Sequence, residues 1–501
     1  MTVLSDTLAE AARRFPDRDA VVHRDITLTY RELDGLATQV AAGLAKAGVG
    51  RADVVALMLP AGPEYVVAYL ALARLGAIAT GVSPRATADE RSKMIGRADP
   101  QLLIATEELA DGVPAGVAIV DCRPATTTEG LWRDLRVDAD APPDPTDLDK
   151  IETIVFTSGT TGTPKGAVFT SRQIAAITDM DTGGAWGTGG AQVVATGLSH
   201  VGFMTKLAGN VQQGTTMHVL SRWRAADALE IIARERVAYV GGVAAQIALL
   251  LRVPEFDRYD LSAVKGLIVG AGPSPAAIVR EARQRFGAGY SIRYSSTESG
   301  GLGTLTAFDA PDEEVLHTVG RPRPGTELSV RSTTDGAALP AGESGEVCFR
   351  SPAVMAGYWR DPDATALALD GDGWLHTGDV GWIGDDGRLR LTGRIKEMYI
   401  RGGYNVYPLE VEAVLNDHPA IASVAVVPRP SAVMGEIGVA VIVPRAGAQP
   451  PTLDDLRAFA GARLAPHKLP EAVRFVDEIP LTGMDKVDRR ALAAREAEAG
   501  E

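Results

Sequence analysis

At 501 residues the chain is longer than one hydrophobic core usually spans, so at least two domains are expected, one of them much the smaller. Hydrophobic residues at 46% and charged residues at 23% describe an ordinary globular protein with a large core and exclude extended disorder. The 50 basic and 64 acidic side chains leave a formal charge of −14, an acidic surface that repels nucleic-acid phosphates and anionic lipid.

The first twenty residues, MTVLSDTLAEAARRFPDRDA, carry charges where a targeting segment would have an apolar run, and no window of about 18 residues is free of charge or turn formers. A cytoplasmic protein without integral membrane segments is expected. Cys122 and Cys348 lack CxxC spacing and histidine-rich surroundings, so buried inert thiols are expected, not a disulfide or a zinc site.

In chain order, residues 27–48 open with a short β-like run and continue as a helix that stops at Gly48. The strand VVALMLP (54–60), the helical PEYVVAYLALARLG and the apolar AIATGV follow, and this alternation implies a parallel sheet flanked by helices. The Pro-, Asp- and Thr-rich segment 121–150 reads as a surface excursion. QVVATGL (192–198), AYVGGV (238–243) and GLIVGAG (266–272) read as further short strands. Near LTGRIKEMYIRGG (391–403) the pattern changes to a compact α+β unit, with strands at 423–428, 438–444 and 472–480 and a helix at 453–464. The expected fold is α/β: a large N-terminal domain (1–393) of parallel-sheet subdomains, a hinge at 394–397, and a small mobile α+β C-terminal domain (398–501).

Between a strand at Ile151–Phe156 and a helix N-capped by Ser171 lies FTSGTTGTPKG. Glycines let backbone approach an anion, Thr157, Ser158, Thr160 and Thr161 offer hydroxyl donors, and Lys165 adds positive charge, so a phosphate cradle is expected. A flexible surface loop is the plain alternative. The spacing is not that of a P-loop, because Gly166 follows Lys165.

The ten residues TSGTTGTPKG resemble the phosphate loop of the adenylate-forming superfamily of acyl- and aryl-CoA synthetases, peptide-synthetase adenylation domains and luciferases. The resemblance extends from LTYRELD (28–34) to LAPHKLP (464–470) and DKVDRRAL (485–492). It implies that Thr157, Ser158, Gly159, Thr160, Thr161, Gly162 and Lys165 hold the phosphates of ATP. In YSSTESG (294–300) it places Tyr294 near adenine, Thr297 at the α-phosphate and Glu298 on Mg2+, with Ser295 where the family usually has glycine, beside the acyl pocket that Gly300 also borders. Gly272, in AGP (271–273), would wall the adenine. Asp379, in HTGDVGWIGDDGRL, would accept the ribose hydroxyls, and Arg394 would reach sugar or phosphate. Lys396 would be the hinge, Gly402 and Gly403 would line a coenzyme A tunnel unless they merely form a hairpin turn, and Lys486 would be the catalytic lysine of adenylation, here preceded by Asp485 instead of glycine. Without the family, Glu298, Asp379, Arg394 and Lys486 each read as ordinary surface or turn residues.

TGLSHVGFM (196–204) resembles the family's substrate gate, with His200 near the acyl carboxylate. Residues 196–204 hold no aspartate of the kind that grips an α-amino group, so amino acids are disfavoured. Val201, Phe203 and Met204, with Gly242 and Val243, would form an apolar wall suited to a fatty or aryl acid. Lys206 is the only nearby cation and reads as a surface lysine, a partner for a second carboxylate being the alternative. No carrier-protein module with a phosphopantetheine serine follows Lys486, so coenzyme A is the expected acceptor. A separate carrier protein, an amine or an oxygen nucleophile are alternatives, and a non-enzymatic nucleotide sensor is the reading that Asp485 favours.

Overall fold

The computed structural model describes residues 3–110, 113–114, 116–141, 146–157, 164–194, 197–272, 274–481 and 487–498. The first long helix, Tyr30–Lys46, begins where a capping box allows it: Thr29 accepts from the Glu32 amide while the Glu32 carboxylate takes the Thr29 amide at 2.8 Å. Its buried stripe of Leu33, Ala37, Val40 and Leu44 packs on the helix Pro63–Leu75, which is buried on nearly every side and therefore apolar all round.

Around that helix stands a seven-stranded sheet. Five strands, from Ile151–Phe156 through Ile78–Gly81, Val54–Met58 and Leu102–Ala105 to Ala118–Asp121, run parallel; Gly166–Thr170 and Gly357–Tyr358 extend it antiparallel. In a second sheet Tyr239–Val243, Gly266–Gly270 and Gly289–Tyr294 are parallel. A smaller one joins Ile26–Thr29, Asp19–His23, Thr216–Val219 and Ala191–Val194. The expected α/β architecture, with a large N-terminal and a small C-terminal domain, is present. The large N-terminal part also holds an antiparallel sheet of Glu327–Arg331, Gly345–Arg350, Leu375–Ile383 and Leu389–Arg394, which the pattern of apolar runs did not foretell.

The C-terminal sheet is covered on both faces. Val424 and Val426 point to the helices Pro408–Leu415 and Leu453–Gly461, whereas Ala425 and Val427 point to Leu492 of the helix Arg489–Glu498, the alternation that a strand imposes. Arg489 ties the last helix down through two hydrogen bonds to buried Glu412, at 2.5 and 2.7 Å.

Two expectations are corrected. Ser171 is not the N-cap: Thr170 is, because the Ser171 hydroxyl is donated to the buried Glu152 carboxylate at 2.7 Å. The segment 121–150 is not wholly a surface excursion, since Leu131 and Trp132 are buried in the main core. Both cysteines are buried and free as expected, but pairing of Cys348 with His376 across two strands sets their Sγ and Nδ1 3.6 Å apart. Burial pushes both thiols up to about 12, and Nδ1 is also 2.8 Å from Glu346, so this cluster is a structural knot.

Candidate active site

A cleft of about 2040 Å³ is bordered by the ends of the parallel strands, the antiparallel sheet and the segment 394–397. Thr157 and Lys165 flank it at the open end of the hairpin formed by Ile151–Phe156 and Gly166–Thr170, and the Thr157 amide donates to the Lys165 carbonyl at 2.9 Å. Ser158, Gly159, Thr160, Thr161 and Gly162 lie outside the described residues, as does Lys486. Lys165 Nζ sits 4.8 Å above the ring of Tyr358, and the Tyr358 hydroxyl donates to Glu298 Oε1 at 2.8 Å. Tyr358 reaches this place because its strand pairs with Gly166–Thr170; burial, and then Glu298, hold its hydroxyl protonated far above the ordinary range. Thr297 borders the same cleft.

At the other end, antiparallel pairing puts Asp379 directly opposite Arg394. The preceding Gly378 adopts φ +71°, which turns the chain so that Asp379 comes back under Tyr294. The Tyr294 hydroxyl donates to Asp379 Oδ2 at 2.6 Å and Arg394 Nε donates to Oδ1 at 2.8 Å, while the Asp379 side chain is only 9% exposed. Burial drives the Tyr294 hydroxyl well up, and the neighbouring Asp379 drives it further. Burial opposes the charge of Arg394, but Asp379 and Glu397 outweigh it and the guanidinium is held protonated. Glu346 braces the turn, accepting from the Gly378 amide at 3.0 Å. Neither Glu346 nor Tyr358 was marked by sequence reasoning; both are distant in sequence from their targets and come near only through strand pairing.

On the remaining side His200 begins the short helix Val201–Met204, and it borders the cleft together with Val201, Gly242, Val243 and Ser295. Phe203 and Met204 do not. They point from the opposite side of that helix into the core, where Phe203 packs edge-on against Tyr65 and the Met204 carbonyl accepts from Tyr69 at 2.7 Å. Gly300 is buried behind the wall and Gly301 takes its place on it. Lys206 is no surface lysine: its side chain is 12% exposed and its ammonium is 2.8 Å from Asp181. Nor is it the only nearby cation, since Arg293 borders the cleft beside it. Ala271 borders the cleft while Gly272 faces open space. Lys396 borders it from a 3₁₀ turn. Gly402 and Gly403 form the turn of the hairpin Tyr399–Arg401/Tyr404–Val406 and are not on the cleft wall.

Two family models cover most of the chain: AMP-binding enzyme over residues 8–359 and AMP-binding enzyme C-terminal domain over residues 410–486. A feruloyl-CoA synthase from Amycolatopsis sp is 33% identical over 95% of this chain and 95% of its own length. A fatty acid–[acyl-carrier-protein] ligase, ScoC, from Streptomyces coeruleorubidus is 30% identical over 99% of this chain and 96% of its own. Among solved structures, ATP-bound MatB from Rhodopseudomonas palustris superposes with a TM-score of 0.88 at 26% identity, covering 100% of both chains.

Proposed function

We propose that this protein, which belongs to the AMP-binding enzyme family and is an AMP-forming acyl-CoA ligase, spends ATP to activate an acid at the cleft just described. One oxygen of the acid's carboxylate attacks the α-phosphorus, the bond to the bridging oxygen breaks, and pyrophosphate leaves. The sulfur of coenzyme A then attacks the acyl carbon, AMP leaves, and the thiol proton passes to solvent. No side chain becomes covalently linked.

The single observation that carries this assignment of residues is that one cleft has the phosphate-side pair, Lys165 and Glu298, and the diol-binding carboxylate Asp379 on its wall. Asp379 would accept the ribose hydroxyls, oriented by Tyr294 and Arg394. Lys165 and the hydroxyls of the Thr- and Gly-rich loop would neutralise the phosphates, with Thr297 donating to the α-phosphate. Magnesium fits here: among the described residues no basic side chain pairs with Glu298, which receives one neutral hydroxyl, and a hard cation prefers such a carboxylate together with phosphate oxygens. When bound it would supply charge neutralisation at the phosphates. His200 would border the acyl carboxylate, and Lys486 would reach it during adenylation. Lys396 would be the hinge between domains at 1–393 and 398–501, the small domain turning to bring Gly402 and Gly403 toward coenzyme A. A cytoplasmic location, where ATP and coenzyme A are supplied, fits this reading. Transfer to a carrier-protein thiol is the second reading, favoured by the likeness to ScoC.

The test separates the two half-reactions. Pyrophosphate release with a panel of acids, and thioester formation from supplied acyl adenylate, are measured for the wild type with coenzyme A or carrier proteins. Lys486→Ala is expected to abolish the first and nearly preserve the second, and Lys396→Pro to impair passage between them. Equal loss of both activities in Lys486→Ala contradicts its role.

A further inference from the structure

The acyl side of the cleft carries buried charge that activating a plain fatty or aryl acid does not use. Lys206, on the turn after the gate helix, is ion-paired with Asp181 at 2.8 Å, and Asp181 is also held by Arg323 at 2.7 Å. Its one carboxylate is thereby already shared between two cations. A third, Arg293, stands in the field of the same acid, yet no hydrogen bond or ion pair reaches its guanidinium from the described residues, and its Nε is buried without a partner. Lys206, Asp181 and Arg293 all border the cleft. Three cations against one acid leave two positive charges in surplus, on side chains mostly withdrawn from solvent.

Such a surplus is costly unless an anion completes it. Glycine at position 301 keeps the approach open: a Cβ there would lie 3.4 Å from Lys206 Cε, 3.7 Å from Val201 Cγ2 and 4.0 Å from the ammonium itself. Gly301 has φ +71°, so the opening is fixed by backbone as well as by size. Val201 beside Lys206 gives an apolar stretch followed by a cationic end.

We infer that Lys206 and Arg293 form a subsite for a second anionic group on the acyl substrate, so that the acid activated is a dicarboxylate or an acid with another anionic group at its far end. This rests on the ligase reading and narrows its substrate class. Asp181, braced by Arg323, holds the Lys206 ammonium in place and leaves the Arg293 fork open for bidentate contact with a carboxylate.

The experiment compares matched pairs, hexanoate with adipate and 3-phenylpropanoate with 3-(4-carboxyphenyl)propanoate, by pyrophosphate release at fixed ATP. The charged member of at least one pair is expected to have the higher kcat/KM by about tenfold or more. Lys206→Met and Arg293→Gln are each expected to reverse that preference, lowering the diacid and raising the monoacid. Lys206→Met leaves Asp181 paired with Arg323, so folding, checked by thermal melting, is expected to survive even where Arg293→Gln fails. Monoacids turned over as well as or better than their charged partners by the wild type would overturn the inference, as would equal losses for both members of a pair in Lys206→Met. Absence of pyrophosphate release with every acid would overturn the ligase reading itself, and the subsite falls with it.

Discussion

The two ends of the cleft differ in how their charges are settled. Around Asp379 every charge has a partner: the carboxylate receives Tyr294 and Arg394, and the turn that carries it is braced by Glu346. Around Lys206 the account does not close, because one shared aspartate faces three cations. A site preorganised by the chain's own hydrogen bonds suits a ligand common to a whole family, the nucleotide. A site left with surplus charge waits for a feature of one particular substrate. The same contrast explains why family likeness speaks clearly for the first end and says little about the second.

The sharpest way to break this comparison is at its settled end. Asp379→Ala would remove the diol acceptor and leave the Tyr294 hydroxyl and the Arg394 guanidinium without their shared partner, a loss of about 3 kcal/mol, or roughly a hundredfold in the KM for ATP. Steady-state kinetics with varied ATP check it, and an unchanged KM would show that the nucleotide does not use this triad. A smaller effect is expected at the phosphate side. Tyr358→Phe frees Glu298 from its only hydroxyl donor among the described residues, and a fall of about tenfold in the rate of adenylation, read as pyrophosphate release, is expected from one hydrogen bond to a charged group. Thioester formation from supplied adenylate should be little affected.

The mildest test is pH, and it concerns the unsettled end. Burial brings Lys206 down to about 8, opposed by Asp181, with Arg293 and Arg323 also facing it. Below that pH the ammonium is charged and attracts a second anion; above it the charge is lost. The KM for a diacid should therefore rise as pH climbs through about 8, while that of its monoacid counterpart does not. Lys206→Arg, which keeps its charge throughout, should flatten the profile.

Much of this was legible in the sequence, for identifiable reasons. The parallel strands announce themselves as short apolar runs bounded by glycine, and the paired strands of the C-terminal domain as alternating valines. The antiparallel sheet at 327–394 does not, because its strands are half exposed and rich in charged residues, as in Glu327–Arg331. The residues proposed to hold the nucleotide, Tyr294, Glu298, Asp379 and Arg394, lie in contiguous motifs and could be marked at once. Tyr358 and Glu346 act through strand pairing with residues far along the chain, so no local pattern reveals them. At the acyl end the failures have a common cause. Phe203 and Met204 look like pocket residues by composition, and Lys206 looks like a surface lysine, until the short helix fixes which side faces the core.

The most direct measurement is a crystal structure of the protein with ATP. The ribose hydroxyls should lie on Asp379, between Tyr294 and Arg394, with the triphosphate running toward Lys165 and Glu298. A nucleotide bound away from Asp379, or with its phosphates turned from Lys165 and Glu298, would contradict the account.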